Sequence, residues 1–262
     1  MTRIALTGAA GNVGRELLGA FDEAVDLLPF THSEHDDVDS DLLDVTDPGD
    51  VTEKLNNVDV VVHLAGASSP DADWETVSES NIQGTKHVLD AAVENGIGRV
   101  VFASSNHAVG TYNTVDDDPE SMTIGYARTV DADAPTCPDS YYGVSKAACE
   151  GLTKFYADVE GLEVVNLRIG WHMSEDDLRE EAGGDADPGR TRFARALWLS
   201  PHDCRDVHRK AATVDLPENP VTVNAVSRND ERFHSITETM RLLGYQPRDN
   251  AGEVLDECDG LP

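Results

Sequence analysis

Tyr142 and Lys146 stand one helical turn apart in the run Ser140-Tyr141-Tyr142-Gly143-Val144-Ser145-Lys146. At a spacing of four they share one face of a helix. An ammonium held beside a phenol stabilises the phenolate, so the tyrosine can take a proton near neutral pH. Tyr141 lacks such a partner, because the residue four further on is Ser145. Near the start of the chain, Thr7-Gly8-Ala9-Ala10-Gly11-Asn12-Val13-Gly14 follows a short apolar run. Glycines spaced this way let backbone N–H groups approach a pyrophosphate at a helix N-terminus. The two features together describe a dinucleotide site joined to a proton acceptor.

Positioning them requires a scaffold, and the hydrophobic pattern supplies one. Residues 3–7, 25–31 and the nearly continuous apolar run 58–65 read as strands covered on both faces. A helix over 77–94, a strand over 99–104, a helix over 142–159 and a strand over 163–168 continue the alternation. This order predicts an α/β fold, a Rossmann-type doubly wound parallel sheet. Residues 171–192 are polar, with Gly183, Gly184, Pro188 and Gly189, and read as a loop holding about one helical turn. A late strand over 221–226 and a closing helix over 231–243, stopped by Gly244, complete the pattern. A length of 262 residues suits a single domain, 1–262, with a small C-terminal substrate-binding portion mainly in 171–262.

Composition narrows the partners. Fifty acidic residues face twenty basic ones, a formal net charge of -30 spread along the whole chain. Self-repulsion on that scale is tolerable where salt screens it, and the composition looks like that of a protein from a salt-in halophile. The run Asp116-Asp117-Asp118 then reads as solvated surface. No nucleic-acid partner is expected, because phosphate binding needs a basic face. No membrane span and no signal peptide are apparent, so a soluble cytoplasmic protein is expected. Cys137, Cys149, Cys204 and Cys258 show no C-x-x-C spacing, and His63, His87 and His234 occur singly. Free thiols and no metal are the plain reading. No G-x-S-x-G supports a serine hydrolase.

The glycine loop, Val60-Val61-Val62-His63-Leu64-Ala65-Gly66, Asn81-Ile82-Gln83-Gly84-Thr85, Val101-Phe102-Ala103-Ser104-Ser105 and Tyr142-x3-Lys146 occur in one order and spacing. Together they resemble the extended branch of the short-chain dehydrogenase/reductase superfamily. The resemblance implies an oxidoreductase in which Tyr142 takes a hydroxyl proton, Lys146 supports it and binds the nicotinamide ribose, and Ser105 orients the substrate. Ser104 competes with Ser105, and counting forward to Val109-Gly110 favours Ser105. Asn81 would support a proton relay, or be a plain helix cap. Gly8, Gly11, Asn12, Val13 and Gly14 would hold the pyrophosphate. Asp41 and Leu42 would contact the adenine, and Leu64, Ala65 and Gly66 the adenosine ribose; strand packing is an equally good reading of Leu64 and Ala65.

NAD is the expected cofactor. An acid that closes the second strand normally binds the adenosine ribose, yet here the strand ends Phe30-Thr31-His32-Ser33. The ribose is then left to Glu34 or Asp36 in a shifted loop, or to His32 or Ser33. No basic residue occurs between Arg15 and Lys54 to meet the 2′-phosphate of NADP.

Ser104-Ser105-Asn106-His107, Tyr142-Gly143-Val144-Ser145-Lys146 and Arg168-Ile169-Gly170 resemble uronate dehydrogenases and related enzymes that oxidise an aldose at C1, haloarchaeal glucose-6-phosphate dehydrogenases among them. Asn106 and His107, directly after the serine pair, would face the substrate. Residues 168–210 hold Arg168, Arg179, Arg190, Arg192, Arg195, Arg205, Arg209 and Lys210. Such a concentration in so acidic a chain points to an anionic sugar, with Arg190, Arg192 and Arg195 as candidate ligands. The bland alternative is pairing with local acids such as Glu180, Glu181 and Asp187. A small-molecule sugar or sugar phosphate is thus the expected partner, glucose 6-phosphate first and a uronate second, and a homo-oligomer is expected. A sugar-nucleotide epimerase would need a larger C-terminal portion, and a non-catalytic sensor typically loses the Tyr-Lys pair.

The charge generates the first prediction. Dialysis from molar KCl to about 50 mM salt, where the Debye length exceeds about 10 Å, is expected to abolish activity and native circular dichroism. Full stability in dilute buffer would contradict the halophilic reading.

Overall fold

The computed structural model describes residues 1–114, 120–123, 127–183 and 186–259; Asp116-Asp117-Asp118, Gly184 and the side chain of Cys258 lie outside the described residues. Strands β1 (Thr2–Thr7), β2 (Val25–Thr31), β3 (Asp41–Leu42), β4 (Val60–His63), β5 (Arg99–Ser105) and β6 (Glu163–Ile169) build most of one sheet. The two-residue strands β7 (Trp171–His172) and β8 (Trp198–Leu199) pair with each other, and β9 (Val221–Ala225) returns to the main sheet. Its order is β3-β2-β1-β4-β5-β6-β9, every pairing parallel. This is the doubly wound α/β arrangement that the alternation of elements predicts.

The helices are α1 (Asn12–Leu17), α2 (Pro48–Lys54), α3 (Trp74–Thr76), α4 (Gly84–Asn95) and α5 (Tyr141–Phe155), followed by α6 (Glu175–Ala182), α7 (Pro188–Leu197), α8 (Pro201–Thr213), α9 (Thr237–Leu243) and α10 (Ala251–Asp259). Many begin on a short polar side chain that takes up otherwise unpaired N–H groups. Asp47 caps α2, Ser140 caps α5, Asp187 caps α7 and Ser200 caps α8. Three of these caps precede a proline, whose fixed φ and missing N–H suit the first helical position. Among the described residues no helix is long and apolar enough to cross a membrane.

Apolar side chains fill both faces of the sheet. Ile4, Leu6, Val62, Val101, Val165 and Val223 pack toward α1, α8 and α9; Ala5, Val61, Val100 and Val164 pack toward α2 and α4. Successive strand residues point to opposite faces, which is why these strands read as unbroken apolar runs. A third cluster lies beyond the carboxyl ends of the strands, where Val109, Met122 and Val130 meet Phe193, Leu197, Val226 and Phe233. The cap over the sheet therefore draws on the segment after β5 as well as on residues past 170.

Two local expectations change. Residues 171–192 hold β7, α6 and the start of α7 rather than about one turn, because Ser174 and Asp177 form a reciprocal capping box and Asp187-Pro188 starts the next helix. The closing helix begins at Thr237, not 231, because Phe233 O accepts from Val130 N at 2.8 Å, Ser235 N donates to Val130 O at 3.0 Å and Asn224 Nδ2 donates to Ser235 O at 3.0 Å, which holds residues 233–235 extended.

One buried ion pair ties the layers together. Glu150 of α5 accepts from Arg168 of β6 through Nε and Nη2, both at 2.9 Å, and from Ser104 of β5 at 2.6 Å. The side chains are 4% and 9% exposed. Removing one partner of such a pair strands the other charge, at a cost of about 3–5 kcal/mol. Glu150→Ala is accordingly expected to lower unfolding free energy by that amount in a denaturant titration in molar KCl. A loss below about 1 kcal/mol, the scale of an exposed pair, would refute the buried-pair account.

Candidate active site

A cleft of about 890 Å³ opens at the carboxyl ends of β1, β4, β5 and β6, between the glycine loop and the head of α5. Gly8, Gly11, Asn12, Val13 and Gly14 line one wall. Gly8 has φ of +72°, and a Cβ there would lie 2.8 Å from Ala65 N, so only glycine lets β1 leave this close to β4. A Cβ on Gly14 would lie 2.3 Å from Gly8 O, which keeps the first turn of α1 tight against the loop. Asn12 Nδ2 donates to His172 O at 2.7 Å and joins the loop to the cap. Loop, helix N-terminus and cleft volume together fit a dinucleotide.

His32, Ser33, Leu64, Ala65 and Gly66 line the cleft. Glu34 and Asp36, the acidic alternatives for the ribose, do not. Asp41 and Leu42 do not either. They form the exposed edge strand β3, and the next residues Leu43, Asp44, Val45 and Thr46 turn into the cleft in their place. Asp44 accepts from Thr46 N at 2.9 Å and Thr46 Oγ1 at 2.7 Å, which hold its carboxyl below the usual carboxylate range. Arg15, which precedes the second strand, donates through its guanidinium to Ala10 O and pairs with Asp37 of the loop that follows that strand.

At the other end stand Ser105, Tyr142 and Lys146. Ser140 Oγ accepts from Gly143 N at 3.0 Å and starts α5, which puts Tyr142 and Lys146 on the inward face. Lys146 Nζ donates to Ala103 O at 2.7 Å and lies 5.5 Å from the Tyr142 ring centroid. An ammonium has three donors, so two remain for a ribose. Ser104 spends its hydroxyl on Glu150, whereas Ser105 Oγ accepts from His107 N at 3.2 Å and keeps its own proton to donate. Beneath the strands, His63 lies between Thr7 Oγ1 at 2.8 Å and Thr85 Oγ1 at 3.2 Å, and burial pushes it down to about 3. An uncharged ring there leaves Lys146 as the local cation.

Other predicted residues stand outside the cleft lining. Asn81, in a wide π-helical turn over Val77–Gln83, spends its side chain on Ala67 N at 2.7 Å, Ala67 O at 3.0 Å and Ser145 Oγ at 2.9 Å. It clamps the exit of β4 to α5, and a Cβ on Gly66 would lie 2.5 Å from its Oδ1. Asn106 Nδ2 donates to Ile169 O at 3.2 Å, and His107 lies behind Tyr142, with the two ring centroids 5.7 Å apart. Arg190, Arg192 and Arg195 are absent from the lining, as are the candidate acids Glu180, Glu181 and Asp187. Arg190 pairs with Glu120 and with Glu181 at 2.8 Å, and its guanidinium lies 4.7 Å over Trp171. Arg195 pairs with Glu231. Trp171 and His172 do line the cleft, although no sequence signal singles them out from the polar stretch they begin.

Fold and site define an NAD-dependent dehydrogenase built on a Rossmann-type sheet. Residues 4–192 match the family described as the NAD dependent epimerase/dehydratase family, and the chain belongs to it. It is 47% identical over 256 residues, 98% of this chain and 100% of the relative, to an L-arabinose 1-dehydrogenase (NAD(P)(+)) of Haloferax volcanii. It is 37% identical, over 98% of this chain and 97% of the relative, to the NAD-dependent glucose-6-phosphate dehydrogenase of the same organism. Among solved structures, a mutant uronate dehydrogenase from Agrobacterium tumefaciens complexed with NAD superposes with a TM-score of 0.79 at 26% identity, covering 100% of this chain and 91% of the other.

Tyr142→Phe keeps the ring and removes only the ionisable hydroxyl. It is expected to lower kcat by more than about a hundredfold, the usual weight of a general base, with NAD binding measured by fluorescence unchanged. Lys146→Met should lose activity and weaken NAD binding as well. Retention of a tenth of kcat in Tyr142→Phe would remove that residue from its role.

Proposed function

We propose that this protein oxidises a neutral aldose at C1 to the lactone, with a pentose such as L-arabinose as its substrate. The observation that carries the choice is the pairing of the arginines. Arg168 binds Glu150, Arg190 binds Glu120 and Glu181, Arg195 binds Glu231, Arg205 binds Glu16, and Arg209 binds Asp206. A phosphate or carboxylate would have to displace these acids in a chain of net charge -30. The glucose 6-phosphate expected from the number of arginines therefore yields first place to a neutral sugar. The relative of 47% identity is named for such a sugar.

Bound NAD supplies the acceptor for the hydride that leaves C1. Ser105 donates to the C1 oxygen and orients it, and Tyr142 Oη takes the hydroxyl proton as the carbonyl of the lactone forms. Lys146, 5.5 Å from the Tyr142 ring centroid, stabilises the phenolate that accepts this proton, and holds the ribose with its remaining donors. Tyr142 is 8% exposed and Ser105 4% exposed, so little water competes for the reacting hydroxyl. Preference for NAD over NADP follows from the lack of any basic residue from 16 to 53 to meet a 2′-phosphate, and Arg15, just before that stretch, is paired with Asp37.

A second reading keeps glucose 6-phosphate, on one residue. Among the described residues Arg192 has a buried Nε without a hydrogen-bond partner, and its nearest carboxylate, on Glu231, is 4.0 Å away. NADH absorbance over pentoses, hexoses, uronates and sugar phosphates in molar KCl separates the readings. Highest kcat/KM for a pentose, unaffected by Arg192→Ala, is the expected outcome. Highest kcat/KM for glucose 6-phosphate, with KM raised at least about tenfold by Arg192→Ala as a charged hydrogen bond is lost, would establish the second reading instead.

A further inference from the structure

Asp139 directly precedes the Ser140 cap of α5, and nothing distinguishes it from the other acids of the chain by sequence. Its side chain is 3% exposed and meets His107, itself 9% exposed. His107 Nδ1 donates to Asp139 Oδ2 at 2.9 Å and to Oδ1 at 3.1 Å; a carboxylate only accepts, so the proton sits on Nδ1. Ser140 Oγ donates to the same Oδ1 at 3.0 Å. Two glycines make the room. A Cβ on Gly110 would lie 1.7 Å from Asp139 Oδ2, and one on Gly143 would lie 2.3 Å from His107 O and 3.1 Å from Asp139 Oδ1.

Such an arrangement is a poor way to gain stability. Burying a carboxylate costs free energy that its hydrogen bonds only offset, and apolar packing of the same volume is often as good or better. What the pair does accomplish is spatial. His107 donates its backbone N–H to Ser105 Oγ at 3.2 Å, and its ring meets Tyr142 edge-on at 68° with centroids 5.7 Å apart. Phe193 backs the same ring at 6.0 Å. His107 thus touches both groups that hold the reacting hydroxyl, one on the segment after β5 and one on α5. Asp139 fixes the orientation of His107 and is anchored to the cap of that same helix.

We propose that Asp139 is a positioning residue for the oxidation, acting through His107 as a brace that sets the spacing of Ser105 from Tyr142. The proposal rests on the aldose-oxidation reading above for the roles of Ser105 and Tyr142. Misplacement by about 1 Å costs roughly a hundredfold in rate, so the brace is expected to be worth a factor of that order in kcat. Little of the loss should fall on KM for NAD, because Asp139 and His107 stand away from the cofactor wall.

The test is a double-mutant cycle on Asp139→Ala and His107→Ala, read on whichever sugar the wild type oxidises fastest, so that an error about the substrate does not disturb it. Each single variant is expected to lower kcat at least about thirtyfold, while the double variant is no worse than His107→Ala, the coupling of residues that act as a unit. Asp139→Asn, which keeps an acceptor for Nδ1–H, should restore kcat to within about threefold of wild type by the same argument. Multiplicative losses in the double variant, or a loss confined to KM for NAD, would overturn the proposal. Should Asp139→Ala not fold, His107→Asn decides: it removes the ring that braces Tyr142, and wild-type kcat in that variant would equally overturn it.

Discussion

A carboxylate buried on α5 must find donors, and Glu150 finds them on both strands beneath the helix. Arg168 reaches it from β6 with two nitrogens and Ser104 from β5 with its hydroxyl. Ser104 and Arg168 are direct partners in the β5–β6 register, so a single acid reads the alignment of two strands and locks a helix across them. Tyr142 and Lys146 lie on that helix, and Ser105 is the next residue along β5. The same anchorage therefore joins the elements that carry Ser105, Tyr142 and Lys146. Arg168 also donates to the carbonyls of Ala132 and Ala134, which extends the same constraint to the segment that leads into α5.

The surplus of acid shapes the rest of the molecule. With fifty acidic groups to twenty basic ones, most arginines in this chain have a carboxylate within reach. Arg190, Arg195, Arg205 and Arg209 are all held this way, and the first and third connect separate segments of the cap and of the cofactor half. Arginine concentrated in sequence therefore became scaffolding. Its guanidinium forks hold loops and helices to one another, and none of Arg190, Arg195, Arg205 and Arg209 lines the cleft, where the stretch after β6 contributes Gly170, Trp171 and His172 instead.

Much of the site is legible without coordinates. The glycine loop, Ser105, Tyr142 and Lys146 all reach the cleft, because each lies at a strand's carboxyl end or on the inward face of the helix that follows. Asn106 and His107 are less readable, since a polar residue after a strand can face inward or brace its neighbours, and these two hydrogen-bond to Ile169 and Asp139. Asp41 and Leu42 were displaced by two or three residues because β3 is an edge strand with one partner, and little in its sequence sets where it ends.

What the sequence determined by itself was periodic or local. Apolar runs, capping residues and the four-residue spacing of Tyr142 and Lys146 each act through neighbours in the chain, and from them follow the parallel sheet and the placing of that pair on one helical face. Only the tertiary structure decided which charges meet. The pairing of Arg15 with Asp37, Arg168 with Glu150, and His107 with Asp139 depends on contacts 18 to 32 residues apart. In a chain so rich in acid every arginine and histidine has many possible partners. Coulomb attraction selects by distance and burial, and neither is written in the order of the residues.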